Sequence, residues 1–172
     1  MIGRDPGLVV TPADDGFHRP TVSDPSWIET AWFNCFAAED GLTISVRIWF
    51  SPNSGRQGAS IGGWRGQGEL VLGDGWTEDF TGEPDLRDLT LARGLSLQCI
   101  EPLQRYRLQH RSQRLQLDLE FNAMMAPNPV DPSESPGMFL GHFEQPGHIQ
   151  GHISAPGQEI AINCYSIRDR SW

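Results

Sequence analysis

The stretch LTISVRIWF, residues 42–50, alternates between two kinds of side chain without a break. The apolar parity consists of Leu42, Ile44, Val46, Ile48 and Phe50, and the other parity consists of Thr43, Ser45, Arg47 and Trp49. A period of two residues is typical of a β-strand with one buried face. An Asp-Gly pair at 40–41 separates this run from a second apolar run at 27–38, so the two runs predict a β-hairpin.

Strand patterns continue towards the C-terminus. Residues 95–102, 104–110 and 114–125 predict three further strands, and residues 143–169 predict a hairpin with Pro156-Gly157 at its tip. No amphipathic helix longer than two turns is evident. The sequence therefore predicts an antiparallel all-β domain of about eight to ten strands, arranged as a barrel or a sandwich.

Three segments interrupt this pattern. Residues 1–26 are rich in Pro, Asp and Gly and predict an irregular N-terminal arm before a β-domain at 27–172. Residues 77–94 predict either a short helical turn or a loop. Residues 126–137 contain five prolines or glycines, which makes this loop the candidate for a mobile flap.

Charge and composition exclude several classes of function. The net charge of −9 disfavours a nucleic-acid partner or an anionic membrane surface. All 13 basic residues are Arg, which excludes mechanisms that need a catalytic or phosphate-binding lysine. No stretch approaches the length of a membrane span and no signal peptide is evident, so the sequence predicts a cytoplasmic protein with no integral membrane span.

A few polar residues are candidates for acid–base chemistry. His142 and Glu144 are two residues apart and share a strand face, so Glu144 can orient the imidazole as a general acid or base. Asp169 faces opposite to Arg168 and Arg170 in strand alternation. An isolated inward Asp169 would have a raised pKa, whereas arginines folded back on it would make a structural ion cluster, and the residues leave both open.

A barrel of about eight strands encloses room for one small ligand, and this chain has six tryptophans to line it. Trp49 lies on the polar parity of its strand, which faces either the lumen or the outside. His148 and His152 would stand about 13 Å apart on one strand, too far to share an ion. The sequence predicts no metal and no cofactor.

Much of residues 27–172 resembles a known group of proteins. The segments LQCIEPLQRYRLQH, LDLEFNAMMAP and GHFEQPGHIQGHISAPGQEIAINCYSIRDRSW are similar to the two-domain, lipocalin-like family of hydroxyneurosporene synthase (carotenoid hydratase) and AttH-like proteins. The matching positions are His142, Glu144, Gln145, Arg168, Asp169, Ser171 and Trp172. Arg170 stands where that family usually has His.

The resemblance implies a lipocalin-like (calycin-like) domain that is one half of a two-domain protein, with the second lipocalin-like domain in cis or in trans. It also implies a hydrophobic terpenoid, steroid or polyketide-like ligand and a hydratase- or cyclase-like reaction that begins by protonating an alkene. We expect catalytic roles for His142, Glu144 and Asp169. The expected ligand-binding residues are Trp32, Asn34, Trp49, Gln145, Arg168 and Trp172.

Two other functions remain open at this point. The domain could be a carrier that binds a lipid or isoprenoid without transforming it. It could also be a structural half that packs on a second β-domain and has no pocket of its own. Replacement of Asp169 by Asn separates the enzyme from both, because only the enzyme needs that acid.

Overall fold

The structure, a computed structural model, describes residues 9–134 and 136–172. Almost all regular structure in these residues is β. The strands are β1 (Glu29–Ala37), β2 (Leu42–Ser51), β3 (Arg56–Arg65), β4 (Glu69–Asp79), β5 (Asp88–Thr90), β6 (Ser96–Glu101), β7 (Arg105–Arg111), β8 (Gln116–Ala123), β9 (Asn128–Val130), β10 (His142–Ala155) and β11 (Gln158–Ser171). Four short 3₁₀ turns occur at Pro12–Asp15, Ala38–Asp40, Pro52–Ser54 and Pro132–Glu134.

All eleven strands belong to one antiparallel sheet. The order is β4-β3-β2-β1-β11-β10-β8-β7-β6-β5, and β9 pairs with β10 beside β8. The sheet curls into a half-barrel whose edge strands β4 and β5 do not pair with each other. The prediction of an all-β, lipocalin-like domain is confirmed. The strand count exceeds the predicted range because of two three-residue strands. β5 lies in the segment 77–94, for which the sequence predicts a short helical turn or a loop, and β9 lies in the predicted loop at 126–137.

The alternation in the sequence decides which face of each strand is buried. The predicted apolar parity of β2 is buried along its whole length, from Leu42 to Phe50. Side chains of the other strands meet it inside the curl, among them Phe33, Leu108 and Phe121. Fully burying a side chain of this size stabilises a fold by about 1.5–3 kcal/mol, so this inner face supplies most of the driving force for folding.

A polar contact joins the free edge of β4 to the far side of the curl. Asp74 accepts hydrogen bonds from the hydroxyl of Ser112 at 2.7 Å and pairs with the imidazole of His110 at 3.1 Å. Trp76 stacks on the same imidazole, with the ring centroids 5.5 Å apart. These contacts hold the half-barrel closed where no backbone ladder does.

The N-terminal arm covers one end of the curl. Within the arm, Asp15 is buried at 2% exposure, and Phe17 packs against Phe50 and Phe80. Residues 1–8 of the predicted arm lie outside the described residues. In the described part of the chain, no helix has the length and apolar character needed to cross a membrane.

Candidate functional site

The end of β11 carries charged side chains to both faces of the sheet. Arg168 and Arg170 point into the curl, and Asp169 between them points to the outer face, as the alternation requires. The two faces therefore hold two different polar clusters, separated by one thickness of backbone.

On the outer face, strand register brings distant parts of the sequence into one row. Asp169 lies opposite Glu144 of β10 on one side and opposite Trp32 of β1 on the other, and Trp32 lies opposite Arg47 of β2. Neighbouring strands are about 4.8 Å apart, so these side chains are nearest neighbours across the strands of one face.

The adjacent row, two residues along, adds a second set of side chains to the same face. His142 lies opposite Ser171, which lies opposite Thr30, which lies opposite Trp49. The two rows together are named here the outer-face cluster, and its members are His142, Glu144, Asp169, Ser171, Trp32, Arg47 and Trp49.

Asp169 is the member with the most altered acidity. Its side chain is only 8% exposed although it lies on the outer face. Its pKa is raised from the ordinary 3.8 to about 7. Burial is the main cause and the nearby carboxylate of Glu144 adds to it, while Arg47, Arg170 and Arg168 oppose the rise. Asp169 therefore holds its proton close to neutral pH.

His142 is shifted in the opposite sense. Burial lowers its pKa, and Glu144 only partly offsets this effect. Its Nδ1 lies 2.9 Å from the hydroxyl oxygen of Ser171, and its Nε2 lies 3.9 Å from the carboxylate of Glu144. The imidazole is therefore neutral near pH 7, while Asp169 on the next strand is an acid.

The indoles form the apolar part of the cluster. Trp32 donates a hydrogen bond from Nε1 to the hydroxyl of Ser45 at 2.5 Å, which fixes its ring across β1 and β2. Trp49 lies flat on Gly58, where a Cβ atom would come within 2.8 Å of the ring. Asn34 is one row beyond Trp32, between Ile167 and Ser45.

The inner cluster is built around Arg168. Its guanidinium contacts the carboxylate of Asp15 at 3.0 Å, donates from Nε to Gln145 Oε1 at 2.7 Å, and lies 4.1 Å from the ring centre of Tyr106. Gln145 in turn donates to the carbonyl oxygens of Leu103 and Met125. Asp15 also accepts hydrogen bonds from the hydroxyl of Tyr106 and the backbone N–H of Leu103, so this cluster ties the N-terminal arm to β10 and β11. Among the described residues, Nη2 of Arg168 is buried without a hydrogen-bond partner.

Arg170, two residues further along β11, makes a similar set of contacts. It pairs with the buried carboxylate of Glu29 and donates to the carbonyl oxygens of Thr30 and Asp15. Glu29 also binds the backbone N–H and the imidazole of His18. The imidazole of His18 stacks on Trp172 with the ring centres 3.7 Å apart, so the predicted ligand residue Trp172 lies at the arm.

The structure thus divides the predicted site residues into two groups. His142, Glu144, Asp169, Trp32 and Trp49 come together on the outer face, with Asn34 one row away. Gln145, Arg168 and Trp172 belong to the inner cluster and the arm, on the other side of the sheet or at its end, and their ligand-binding role stays a prediction.

Sequence reasoning missed Asp15, His18, Glu29 and Tyr106. One signal was available, because Glu29 shares the parity of the buried Ala31 and Phe33 and a carboxylate on a buried face needs a partner. Asp15 gave no signal, since it lies in an arm without periodicity.

The outer-face cluster can carry out acid–base chemistry beside an apolar aromatic surface. It offers one protonated carboxylic acid, one neutral imidazole and two indoles. Within the described residues, no group of three or more His, Cys, Asp or Glu side chains is placed to hold a metal ion.

The raised pKa of Asp169 has a consequence for stability. The folded chain binds this proton more tightly than the unfolded chain does, so the free energy of unfolding falls as the pH rises from 3.8 to about 7. We expect Asp169→Asn, which does not titrate, to stabilise the fold by about 2–4 kcal/mol at pH 8 and to change little at pH 4. Urea denaturation at both pH values tests this, and equal differences at the two pH values would contradict it.

Fold and site together define a lipocalin-like β-domain with a polar–aromatic cluster on the outer face of its sheet. The chain belongs to the family described as "Domain of unknown function (DUF7064)", whose model matches residues 11–172. No curated protein matches the chain significantly by sequence.

Solved structures share this fold. An AttH-like protein, NE1406 from Nitrosomonas europaea, aligns with 100% of this chain at 14% identity and a TM-score of 0.69. Kievitone hydratase from Nectria haematococca aligns with 84% of the chain at 12% identity and a TM-score of 0.59. CghA, solved with Sch210972, aligns with 84% at 12% identity and a TM-score of 0.53.

The chain spans about half the length of these structures, namely 58%, 47% and 45% of NE1406, kievitone hydratase and CghA. The resemblance to the AttH-like and hydratase group is confirmed at the level of fold. At these identities the fold is what the likeness establishes.

Proposed function

We propose that the chain is the acid-bearing half of a hydratase- or cyclase-like enzyme that protonates an alkene in a hydrophobic terpenoid, steroid or polyketide-like substrate. One observation carries the proposal. Asp169, a carboxylic acid with a pKa of about 7, lies opposite Trp32 on the neighbouring strand. A second acid–base group, His142, lies on the same face, in the row that is two residues further along β11. Protonating carbon needs an acid in a poorly hydrated place and aromatic faces that stabilise the resulting cation.

The steps follow from the two opposite pKa shifts. Asp169 gives its proton to one alkene carbon, and the π electrons form the new C–H bond, which leaves a carbocation at the other carbon. The faces of Trp32 and Trp49 stabilise that positive charge. In hydration, the oxygen of a water forms a bond to the cation while His142 takes one of the water's protons, with Glu144 stabilising the imidazolium. The proton then returns to Asp169.

A cyclase would use the same first step. The cation would be attacked by a second double bond of the substrate, and His142 would remove a proton from the final cation. The names of two proteins with this fold, kievitone hydratase and CghA with Sch210972, support hydratase-type chemistry or binding of a small molecule.

The outer face needs a cover if water is to be kept from the cation. Because the chain spans only about half of the structures it resembles, we propose that a second lipocalin-like domain, in cis or in trans, supplies that cover. The substrate would then lie between the outer-face cluster and the second domain.

The pH dependence of turnover tests the assignment of the acid. We expect turnover of terpenoid or polyene alkenes, followed as deuterium incorporation at carbon in D₂O, to fall as the pH rises through about 7, because Asp169 then loses its proton. Since Glu144 raises the pKa of Asp169, Glu144→Gln should move this fall to lower pH. Glu159→Gln, on the same face of β11 but ten residues away, should leave it unchanged. If the pH dependence of turnover is the same in Glu144→Gln as in the wild type, Asp169 is not the acid.

A specific observation favours a second candidate, a non-catalytic half-domain. The inside of the curl is occupied by side chains such as Phe50, Leu108 and Phe121, each with essentially no exposed surface. In that case the outer face serves only to bind a lipid or the second domain. Binding of a hydrophobic ligand without deuterium incorporation, and without pH dependence near neutrality, would favour this candidate.

A further inference from the structure

A groove of about 610 Å³ lies beside the outer-face cluster, over β3 and the edge strand β4. This volume is within the range of about 300–1,000 Å³ for small-molecule sites. Its apolar surface comes from the indole of Trp64 and from Leu70, which is 61% exposed. It is named here the β3–β4 groove, and its lining includes Ser45, Gly62, Trp64, Leu70, Gly73 and Arg114.

Gly62 and Gly73 both line this groove, but only at Gly62 do neighbouring atoms exclude a larger residue. A Cβ atom on Gly62 would come within 2.3 Å of the ring of Trp64, so Gly62 is needed for the indole to lie flat on β3. A Cβ atom on Gly73 would meet nothing closer than the carbonyl oxygen of Ile61 at 3.5 Å, an ordinary contact. Neighbouring groups therefore leave room for a Cβ atom at Gly73.

Backbone conformation does not require glycine at position 73 either. Gly73 is not among the residues with positive φ, and it lies inside a paired strand opposite Gly62. Glycine within a strand costs about 0.5–1 kcal/mol relative to Ala. Neither packing nor φ requires glycine at position 73, although glycine there lowers stability. We explain Gly73 by the space that it leaves, because any larger residue at this position would project its side chain into the groove.

The groove is connected to the outer-face cluster through Ser45. This serine lines the groove and also accepts the hydrogen bond from Trp32, the neighbour of Asp169. Four strand spacings separate Gly73 from Asp169, which is about 19 Å along the sheet. At the opposite rim Arg114 supplies a positive charge, while the carboxylate of Asp74 is already engaged by Ser112 and His110.

We infer that the β3–β4 groove binds the flat, apolar portion of a small molecule, and that Gly73 determines which ligands fit by keeping the floor of the groove free of side chains. The groove could hold the unreactive part of a substrate whose reacting carbon lies at Asp169, and this use of the groove rests on the proposed function. As a binding site it stands on the groove alone. The ligand class is a planar ring system or polyene, because the floor is flat and the wall is an indole.

Binding of Nile red, a neutral, planar, apolar dye that fluoresces in apolar surroundings, tests the groove in the natural polypeptide. We expect saturable binding by the wild type. Gly73→Val should weaken it about tenfold, since three added carbons take up space that the dye needs. The melting temperature of this variant should be equal to or above that of the wild type, because Val favours a strand.

A second variant and a control complete the experiment. Leu70→Asp puts a charge on an exposed wall of the groove and should weaken binding by about tenfold without disturbing the core. Thr77→Ile adds bulk to the same face of β4 outside the groove and should change binding less than about twofold. Wild-type affinity in either Gly73→Val or Leu70→Asp, or no saturable binding by the wild type, would overturn the inference.

The dye experiment is independent of the chemistry at Asp169. If Asp169→Asn turns over substrate normally while Gly73→Val loses the dye, the proposed function is wrong and the groove stands. If Asp169→Asn loses turnover while Gly73→Val binds the dye as the wild type does, the groove inference is wrong and the proposed function stands.

Discussion

Replacing Arg168 by Ala is expected to lower the free energy of unfolding by about 3–5 kcal/mol, because it leaves the carboxylate of Asp15 buried without its partner. Asp15 and Arg168 are each 2% exposed and lie 3.0 Å apart. The same change removes the hydrogen bond to Gln145 and the contact with the ring of Tyr106. Whole domains are stable by about 5–15 kcal/mol, so this loss takes away a large share of the total.

Urea denaturation at pH 7 measures this effect, and a surface pair gives the matched control. Arg107 binds both carboxylate oxygens of Asp118, at 2.8 and 2.7 Å, but it is exposed on the outside of β7. We expect Arg107→Ala to cost less than about 1 kcal/mol. The double variant Asp15→Leu with Arg168→Met should be more stable than either single change, since no charge is then left unpaired. A loss in Arg168→Ala no larger than in Arg107→Ala would show that the inner cluster does not hold the arm.

Asp169→Asn is expected to reduce turnover by about 10²–10⁴-fold while ligand binding stays nearly intact, because an amide has almost the same shape but cannot donate a proton to carbon. The amide keeps the same neighbours, Glu144 and Trp32, on the adjacent strands. Deuterium incorporation measures turnover, and a binding titration on the same preparation measures affinity.

The control for this change is Glu159→Gln, which neutralises a carboxylate on the same strand and face but outside the outer-face cluster. It should leave turnover within about twofold of the wild type, since it removes no acid from the reacting carbon. Normal turnover in Asp169→Asn would make Asp169 a structural residue, and the proposed scheme would fail.

These two neighbours on β11 should therefore respond in opposite ways. Loss of the Arg168 side chain should destabilise the fold, whereas Asp169→Asn should stabilise it at pH 8 and abolish chemistry. A buried carboxylic acid that costs stability but serves catalysis is the usual compromise at an active site. Strand alternation separates the two roles by sending adjacent side chains to opposite faces.

Several of these features could be predicted from the sequence. The alternation in residues 42–50 correctly identified the buried face of β2, and the His142–Glu144 spacing correctly placed both side chains on one face. The alternation also put Asp169 opposite to Arg168 and Arg170. It left two options for Asp169, and the structure has the first, a raised pKa. Arg168 and Arg170 do not fold back on Asp169 but pair with Asp15 and Glu29 on the other face.

The short strands β5 and β9 could not be predicted. Three residues are too few to establish a period, and each of these strands exists because a longer neighbour, β6 or β10, offers its backbone. The role of Asp15 was equally hidden, because an irregular arm has no pattern that says where it docks.

By itself, the sequence determined the fold class, the buried parity of the longer strands and the side chains that leave β11 in opposite directions, since these follow from a local period of two. Only the tertiary structure decided that Asp169 lies between Glu144 and Trp32, that the face carrying Trp32 and Trp49 is the outer one, and that Asp15 reaches Arg168. Each of these depends on register or on docking between residues far apart in the chain, and such contacts are fixed by packing of the whole sheet and not by local sequence.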